Sequence, residues 1–285
     1  MDAQLQWPRF NVQYTPSILL ILILLLIIPL SKADPGQLTF AVHPYLPKEE
    51  ILKRFTPLVD YLSDQLGMPV KLSISKNYEV HIENIGNQVI DIAYIGPSSY
   101  VEMTQKYGKH PLLARLEVNG KPFFNGYIVT ANKEFVDNIG ALKGKRFAFG
   151  SPHSTMSYLV PRHMLKEAGV GLETLAGYRF LGNHRNVALG VLLGEFDAGA
   201  VKEEVYFNFR EQGLLKVAVS PSISEHVFLS RQKLPVEVIE KLRQSMYRLS
   251  ESDAGIKILT TIKKKITGLV KVNDSDYDNL RKIMQ

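Results

Sequence analysis

Ser151-Pro152-His153-Ser154-Thr155-Met156-Ser157-Tyr158 places hydroxyl side chains where an apolar stretch, Arg146 to Phe149, gives way to a helical pattern. From about Thr155 to Ala168 the residues Met156, Leu159, Val160, Met164 and Leu165 fall on one apolar face, which predicts a helix. The first turn of such a helix has unpaired backbone N–H groups and the positive end of the helix dipole. Ser154, Thr155 and Ser157 add hydroxyl donors, so the segment is suited to hold an oxyanion. Simple N-capping by Ser154 accounts for the segment taken alone. Pro161 falls inside this pattern, removes a backbone bond to Ser157 and predicts a kink.

Other chemistries have less support. There is no cysteine, so thiolate metal sites and disulfides are excluded. The seven histidines are scattered, with none at a zinc-enzyme spacing, and His43 and His153 read as packing or loop residues. His153 beside Ser154 does not make a nucleophile–base pair, because adjacent helical residues do not face each other, so no enzyme, cofactor or metal is expected. Asp197 ends a buried strand and reads as a partner for a neighbouring turn.

The elements that must position the hydroxyl segment alternate between strand and helix, which predicts an α/β protein with largely parallel sheets. Strands are expected at Leu38 to Val42, Val70 to Ser75, Ile90 to Ile95, Arg146 to Phe149, Tyr178 to Leu181, Phe196 to Val201, Lys216 to Val219 and Val227 to Ser230. Longer extended stretches run from His110 to Val118 and Phe123 to Ala131. Helices are expected at Lys48 to Leu66, Tyr78 to Gln88, Ser98 to Lys106, Arg185 to Leu193, Glu203 to Gln212, Val236 to Leu249, around Ile256 to Thr261, and Ser275 to Met284. Crossings near Tyr127 to Ala131 and Ser220 to His226 divide the chain into lobe 1, residues 34–128 with 225–285, and lobe 2, residues 129–224. Each lobe is expected to be a mixed, mostly parallel sheet flanked by helices. Tyr45, Tyr94 to Tyr100, Ser151 to Tyr158 and His184 then sit at carboxyl ends of strands, where clefts of α/β proteins bind ligands.

Ile18 to Leu30 is an apolar run preceded by Arg9 and followed by Ser31-Lys32-Ala33, the pattern of a signal peptide cut after Ala33. The run is shorter than the roughly 20 residues of a spanning helix, although an uncleaved anchor from near Tyr14 is the alternative. The full chain carries a net charge of +6, and without residues 1–33 it has 32 basic and 27 acidic residues, a net +5. The only compact basic run, Lys263-Lys264-Lys265, has no interleaved aromatic residues, so nucleic acid is not an expected partner.

Five segments resemble one family in its order: Ala41 to Tyr45, Asp91 to Tyr100, Ser154 to Pro161, Gly194 to Val201 and Asp274 to Arg281. They are similar to the phosphate/phosphite/phosphonate-binding proteins of ABC importers, two-lobed periplasmic proteins of the type II binding fold. The resemblance implies a non-enzymatic, monomeric periplasmic receptor that captures a small anionic phosphorus ligand in a hinged cleft for an inner-membrane ABC permease. A membrane-tethered sensing module of the same fold is the alternative. It further implies that Ser154, Thr155 and Ser157 hold the oxyanion, Tyr45 and Tyr94 close over it, and His184 reaches it from lobe 2. The family's Ser-Thr-Ser-Gly reads Ser154-Thr155-Met156-Ser157 here. Lys202 argues against a cationic ligand, with Glu203 the carboxylate that could still point into the cleft.

Overall fold

The computed structural model describes residues 36–285; the expected signal peptide and its cut after Ala33 lie outside them. The chain begins with strand β1 (Leu38–Val42), helix α1 (Lys48–Leu66), β2 (Val70–Ile74), α2 (Tyr78–Gly86), β3 (Ile92–Ile95), α3 (Pro97–Tyr107) and β4 (Leu112–Val118). Along α1, Ile51, Phe55, Leu58, Val59 and Leu62 recur at helical spacing and all are buried. The helix stops at Gly67, whose φ of 69° is the left-handed conformation and whose N–H reaches Ser63 O.

After the short strand β5 (Phe123–Phe124) come β6 (Gly126–Thr130), β7 (Arg146–Phe149), α4 (Val160–Glu167), β8 (Gly177–Phe180), α5 (His184–Leu192), β9 (Ala198–Lys202), α6 (Glu203–Phe209) and β10 (Leu215–Val219). The chain returns through β11 (Ile223–Ser224) into β12 (Val227–Ser230), α7 (Val236–Arg248), α8 (Asp253–Ile262), β13 (Ile266–Val270) and α9 (Asp278–Ile283).

Hydrogen bonding gathers these strands into two large sheets, ordered β13-β4-β12-β3-β1-β2 and β10-β6-β9-β7-β8. In the first, β1 is parallel to β2 and β3, while β12 lies antiparallel between β3 and β4. All four residues of β3 are buried, as in a sheet covered on both faces. One cover is α1, α7 and α8, through Phe55, Leu58, Leu242, Met246, Leu259 and Ile262. The other is α2, α3 and α9, through Ile82, Ile85, Met103 and Leu280. In the second sheet β7 is parallel to β8 and β9, and β6 and β10 are antiparallel additions. These are the two α/β lobes that the sequence predicts.

Three features differ from expectation. Tyr127 to Thr130 is no crossing: β6 lies wholly in the second sheet, paired with β9 and β10. The chain crosses instead at Asn125 and at Ser220 to Ser222, beside a two-stranded ribbon in which Phe124 pairs with Ile223. The Asn125 amide ties the crossings together by donating to Ser220 O at 2.7 Å and Ser222 Oγ at 3.3 Å. Second, β13 has no counterpart in the sequence reading. Its five residues include Gly268 and an exposed Thr267, a weak strand pattern, and its order comes from pairing with distant β4. Third, the helix expected from Thr155 begins as a π-helical turn, Thr155–Leu159, and becomes α-helical only at Val160. Pro161 therefore sits in the first turn of α4, where its missing N–H costs little, rather than kinking a continuous helix.

Candidate functional site

The second lobe supplies one wall of a small, partly open cavity between the lobes. After β7 the chain turns at Ser151 to Ser154 and enters the π turn, where Leu159 N–H reaches Ser154 O at 3.0 Å. Such turns recur at functional sites because they displace side chains from regular helical positions. Ser154 Oγ accepts the Ser157 N–H at 3.2 Å, so Ser154 is the N-cap, and it also lines the cavity. The capping and cleft readings are therefore compatible.

Thr155 lines the cavity and spans to the other lobe. Its Oγ1 accepts the Ser98 N–H at 3.0 Å. Ser98 Oγ–H donates to His153 O at 2.8 Å, so the remaining 2.8 Å contact has Thr155 donating to Ser98 Oγ.

Ser157 is set behind the cavity. It is fully buried, donates to Ala200 O at 2.5 Å and accepts the Gly150 N–H at 2.7 Å. A Cβ at position 150 would lie 2.6 Å from Ser157 Oγ, so glycine is what admits this tie. Ser157 thus joins β7 to β9, and its single proton is used there instead of on a ligand.

His184 opens α5 and lines the same cavity. The Lys202 N–H donates to its Nδ1 at 3.1 Å, which leaves the ring proton on Nε2. Burial, with Lys202 and His226 adding to it, pushes His184 down to about 3. The ring is thus a neutral N–H donor, whereas the charge of a nearby oxyanion taken alone favours the imidazolium.

The facing wall comes from the first lobe: His43, Tyr45, Tyr78, Gly96, Ser98, Ser99 and His226. Ser98 and Ser99 occupy the first turn of α3, where N–H groups are unpaired within the helix. Ser99 Oγ is buried beside the cavity with no hydrogen-bond partner among the described residues. His43 and His226 stack at 5.8 Å and 9°. Tyr94 stacks on both, at 5.6 Å and 5.3 Å, but supports them from behind. Its side chain borders a smaller neighbouring hollow with Arg54 and Glu204, not the main cavity. Tyr45 borders both spaces, with Lys202 Nζ 5.6 Å from its ring centroid. Burial raises the phenols of Tyr45, Tyr78 and Tyr94, so all three remain neutral donors.

Glu203 does not reach this cavity. Lys202, the last residue of β9, faces the cavity, whereas Glu203 opens α6 and faces outward. Glu203 borders a separate groove with Phe207 and Lys263 to Lys265, and its N–H is held by Asn125 O at 3.0 Å. Asp197 is also structural, accepting the Arg146 N–H at 2.7 Å and pairing with its guanidinium at 3.2 Å.

Sequence reasoning places Ser98 and Ser99 at a strand end, within Tyr94 to Tyr100, and weighs Lys202 against a cationic ligand, but it misses His43, Tyr78, His153 and His226 as wall residues. The signal for the two serines is local: Gly96-Pro97-Ser98-Ser99 after a buried strand is the same strand-to-helix arrangement as Ser151 to Thr155. The convergence of four of the seven histidines had none, because they lie on four separate segments. Burial pushes down both His43 and His226, and drives His81, behind His43, to about 4. Lys202 is the only lysine or arginine lining the cavity among the described residues, and its Nζ lies 2.9 Å from Glu204. The cavity therefore presents many neutral hydrogen-bonding groups and little net positive charge. It measures about 30 Å³, room for a small ligand only, on a scale where about 10–15 Å³ holds one water.

Residues 40–277 match the model of a family described as the phosphonate periplasmic substrate-binding protein of ABC transporters. The phosphate-import protein PhnD of Mycolicibacterium smegmatis is 28% identical over 283 residues, covering 89% of this chain and 86% of that protein. The probable ABC transporter phosphite binding protein PhnD1 of Prochlorococcus marinus is 28% identical over 183 residues, 62% of this chain and 61% of its own length. The solved structure of PhnD1 from Prochlorococcus marinus in complex with methylphosphonate shares the fold with a TM-score of 0.78 at 24% identity, covering 88% of this chain and 97% of that one. The two-lobed architecture is thus that of a periplasmic binding protein, and the chain belongs to the phosphonate-binding family of ABC-transporter substrate-binding proteins.

Proposed function

We propose that this protein captures a compact phosphorus oxyanion, phosphite, methylphosphonate or phosphate, in the inter-lobe cavity and delivers it to an inner-membrane ABC permease. The observation that carries this reading is the cavity wall: Ser154, Ser99, the first turn of α3 and the His184 N–H surround about 30 Å³ with donors, while Thr155, whose hydroxyl proton goes to Ser98 Oγ, ties the two walls together. Tetrahedral oxyanions need many donors, and neutral ones bring less hydration to strip than ammonium groups do. The relatives named for phosphate and phosphite support the class of ligand. Lys202, together with the small volume, disfavours a ligand with an ammonium arm.

In this reading the leader is removed after Ala33 and the protein works in the periplasm as a monomer, without enzymatic activity and without nucleic acid as a partner. Its lobes are residues 37–124 with 223–285, and 126–219, moving about Asn125 and Ser220 to Ser222.

Isothermal titration of the exported protein with phosphite, methylphosphonate, phosphate and 2-aminoethylphosphonate tests it. At least one of the first three should bind with micromolar or tighter affinity, and 2-aminoethylphosphonate should be weaker. Absence of heat and of thermal shift with all four would refute the reading. The mass of the exported protein separates transport from tethered sensing: a product starting near Asp34 supports a free receptor, an intact N-terminus the tethered module.

A further inference from the structure

Histidine protons on the first-lobe wall point away from the cavity. His43 Nδ1 lies 3.1 Å from Tyr94 O, and a carbonyl only accepts, so Nδ1 carries the proton. Tyr94 O also takes the His81 Nε2–H at 3.1 Å, while Ser75 Oγ–H donates to His81 Nδ1 at 2.8 Å, so the relay has one consistent direction. His226 Nδ1 lies 3.1 Å from Glu225 Oε2 and again carries the proton. The Glu225 carboxylate is fully buried and also takes an ammonium hydrogen bond from Lys263. Burial alone would raise that carboxyl, but Lys263 and His226 hold it well below the usual carboxylate range, so it stays an acceptor.

Both rings are left with a lone pair on Nε2. The two atoms converge: a Cβ built on Gly96 would lie 3.6 Å from His226 Nε2 and 4.0 Å from His43 Nε2. Gly96 lines the cavity, so the space that its missing side chain leaves is faced by two acceptors. Neither Nε2 has a protein donor among the described residues.

We infer that His43 and His226 make the cavity selective for an oxyanion that carries one proton, the monoanion with a P–O–H group, over the fully deprotonated dianion. The inference rests on the proposed ligand class. The P–O–H donates to one Nε2, while the remaining oxygens accept from Ser154, Ser99 and the His184 Nε2–H. A dianion would place an acceptor oxygen against two lone pairs, and one ring would have to take a proton from water to relieve the clash. By either route one proton accompanies the ligand.

Charge inventory points the same way. Groups around the two rings are the phenols of Tyr45, Tyr78 and Tyr94, the imidazoles of His81, His153 and His184, the pair Lys202–Glu204, the pair Lys263–Glu225, and Arg54 with Glu50. The phenols are neutral, and burial holds His43 and His226 below their ordinary range. Each cation is offset by a carboxylate, which leaves little to balance a second negative charge inside the cavity.

The test is isothermal titration of the exported protein with methylphosphonate from pH 5.5 to 9, each pH in two buffers of different ionisation enthalpy. The inference expects a constant Kd below the second pKa of methylphosphonate. Above it, Kd should weaken about tenfold per pH unit, with about one proton absorbed per ligand bound. A Kd that stays flat above that pKa, with no proton uptake, overturns the inference and leaves the binding function intact. No binding of methylphosphonate, phosphite or phosphate at any pH overturns both. His226→Gln, whose amide can donate, should reduce the proton uptake and the slope. An unchanged slope in a folded His226→Gln and a folded His43→Gln protein would also overturn it.

Discussion

The two walls of the cavity use the same side chain with opposite polarity. In the second lobe, a backbone N–H from Lys202 meets His184 Nδ1 and makes the ring a donor through Nε2. In the first lobe, Tyr94 O and the Glu225 carboxylate meet Nδ1 of His43 and His226 and make those rings acceptors. The residue type is shared, but the hydrogen-bond partner behind the ring decides what the ligand encounters. The walls also differ in construction. Much of the second is a continuous run, Ser154 to Met156, whereas the first is gathered from the ends of β1 and β3, the starts of α2 and α3, and the segment after β11.

The most damaging way to break the first wall is through its buried carboxylate. Glu225→Ala should cost about 3–5 kcal/mol of unfolding free energy, because Lys263 and His226, both largely buried, lose their fully buried acceptor. Urea denaturation reads this, and a loss below about 1 kcal/mol would mean that the pair does not hold the wall.

The buried imidazoles should make stability depend on pH. His81 is held at about 4 in the folded protein, below its ordinary value of 6.5, so the unfolded chain binds more protons between those limits. Its contribution is complete above pH 6.5 and is lost as pH falls toward 4, on the order of 3 kcal/mol in total at about 1.4 kcal/mol per unit. Denaturation midpoints from pH 7.5 to 4.5 should fall more steeply in the parent than in His81→Gln, and parallel curves would contradict this assignment.

Two serines sharpen the distinction between wall and support. Ser157→Ala should lower stability by about 1–3 kcal/mol, since the Gly150 N–H and Ala200 O lose their partner. Ser99→Ala removes a hydroxyl with no protein partner, so it should leave stability within about 0.5 kcal/mol and weaken methylphosphonate binding by about 1–3 kcal/mol. Thr155→Val should weaken binding within the same range, about 1–3 kcal/mol. Titration and denaturation of all three variants separate the two effects, and equal affinity losses for Ser157→Ala and Ser99→Ala would erase the distinction. The smallest effect belongs to Glu203→Gln, which lies outside the cavity and should shift affinity by less than about 0.5 kcal/mol.

Legibility follows the range of the interactions involved. Helix α1 and strand β12 are plain in the sequence because apolar periodicity is local, and the strand-to-helix hydroxyl segment is plain for the same reason. Strand β13 is not, because a five-residue strand interrupted by glycine is ordered by a partner some 150 positions away. Ser157 has the right chemistry for the cavity and is turned from it by two backbone groups of other strands. Glu203 and Lys202 are neighbours with exchanged roles, because β9 ends at Lys202 and Glu203 already belongs to α6.

The amino-acid sequence by itself determined the α/β order, the hydroxyl-rich strand-to-helix segment and the family, since each is encoded in local runs of residue types. Only the tertiary structure decided which hydroxyls face the cavity, where the chain crosses between lobes, and that His43, His153, His184 and His226 meet around one space. The reason is that burial and hydrogen-bond partners arise from segments far apart in the chain. Those partners set the polarity of each imidazole, and no spacing in the sequence records it.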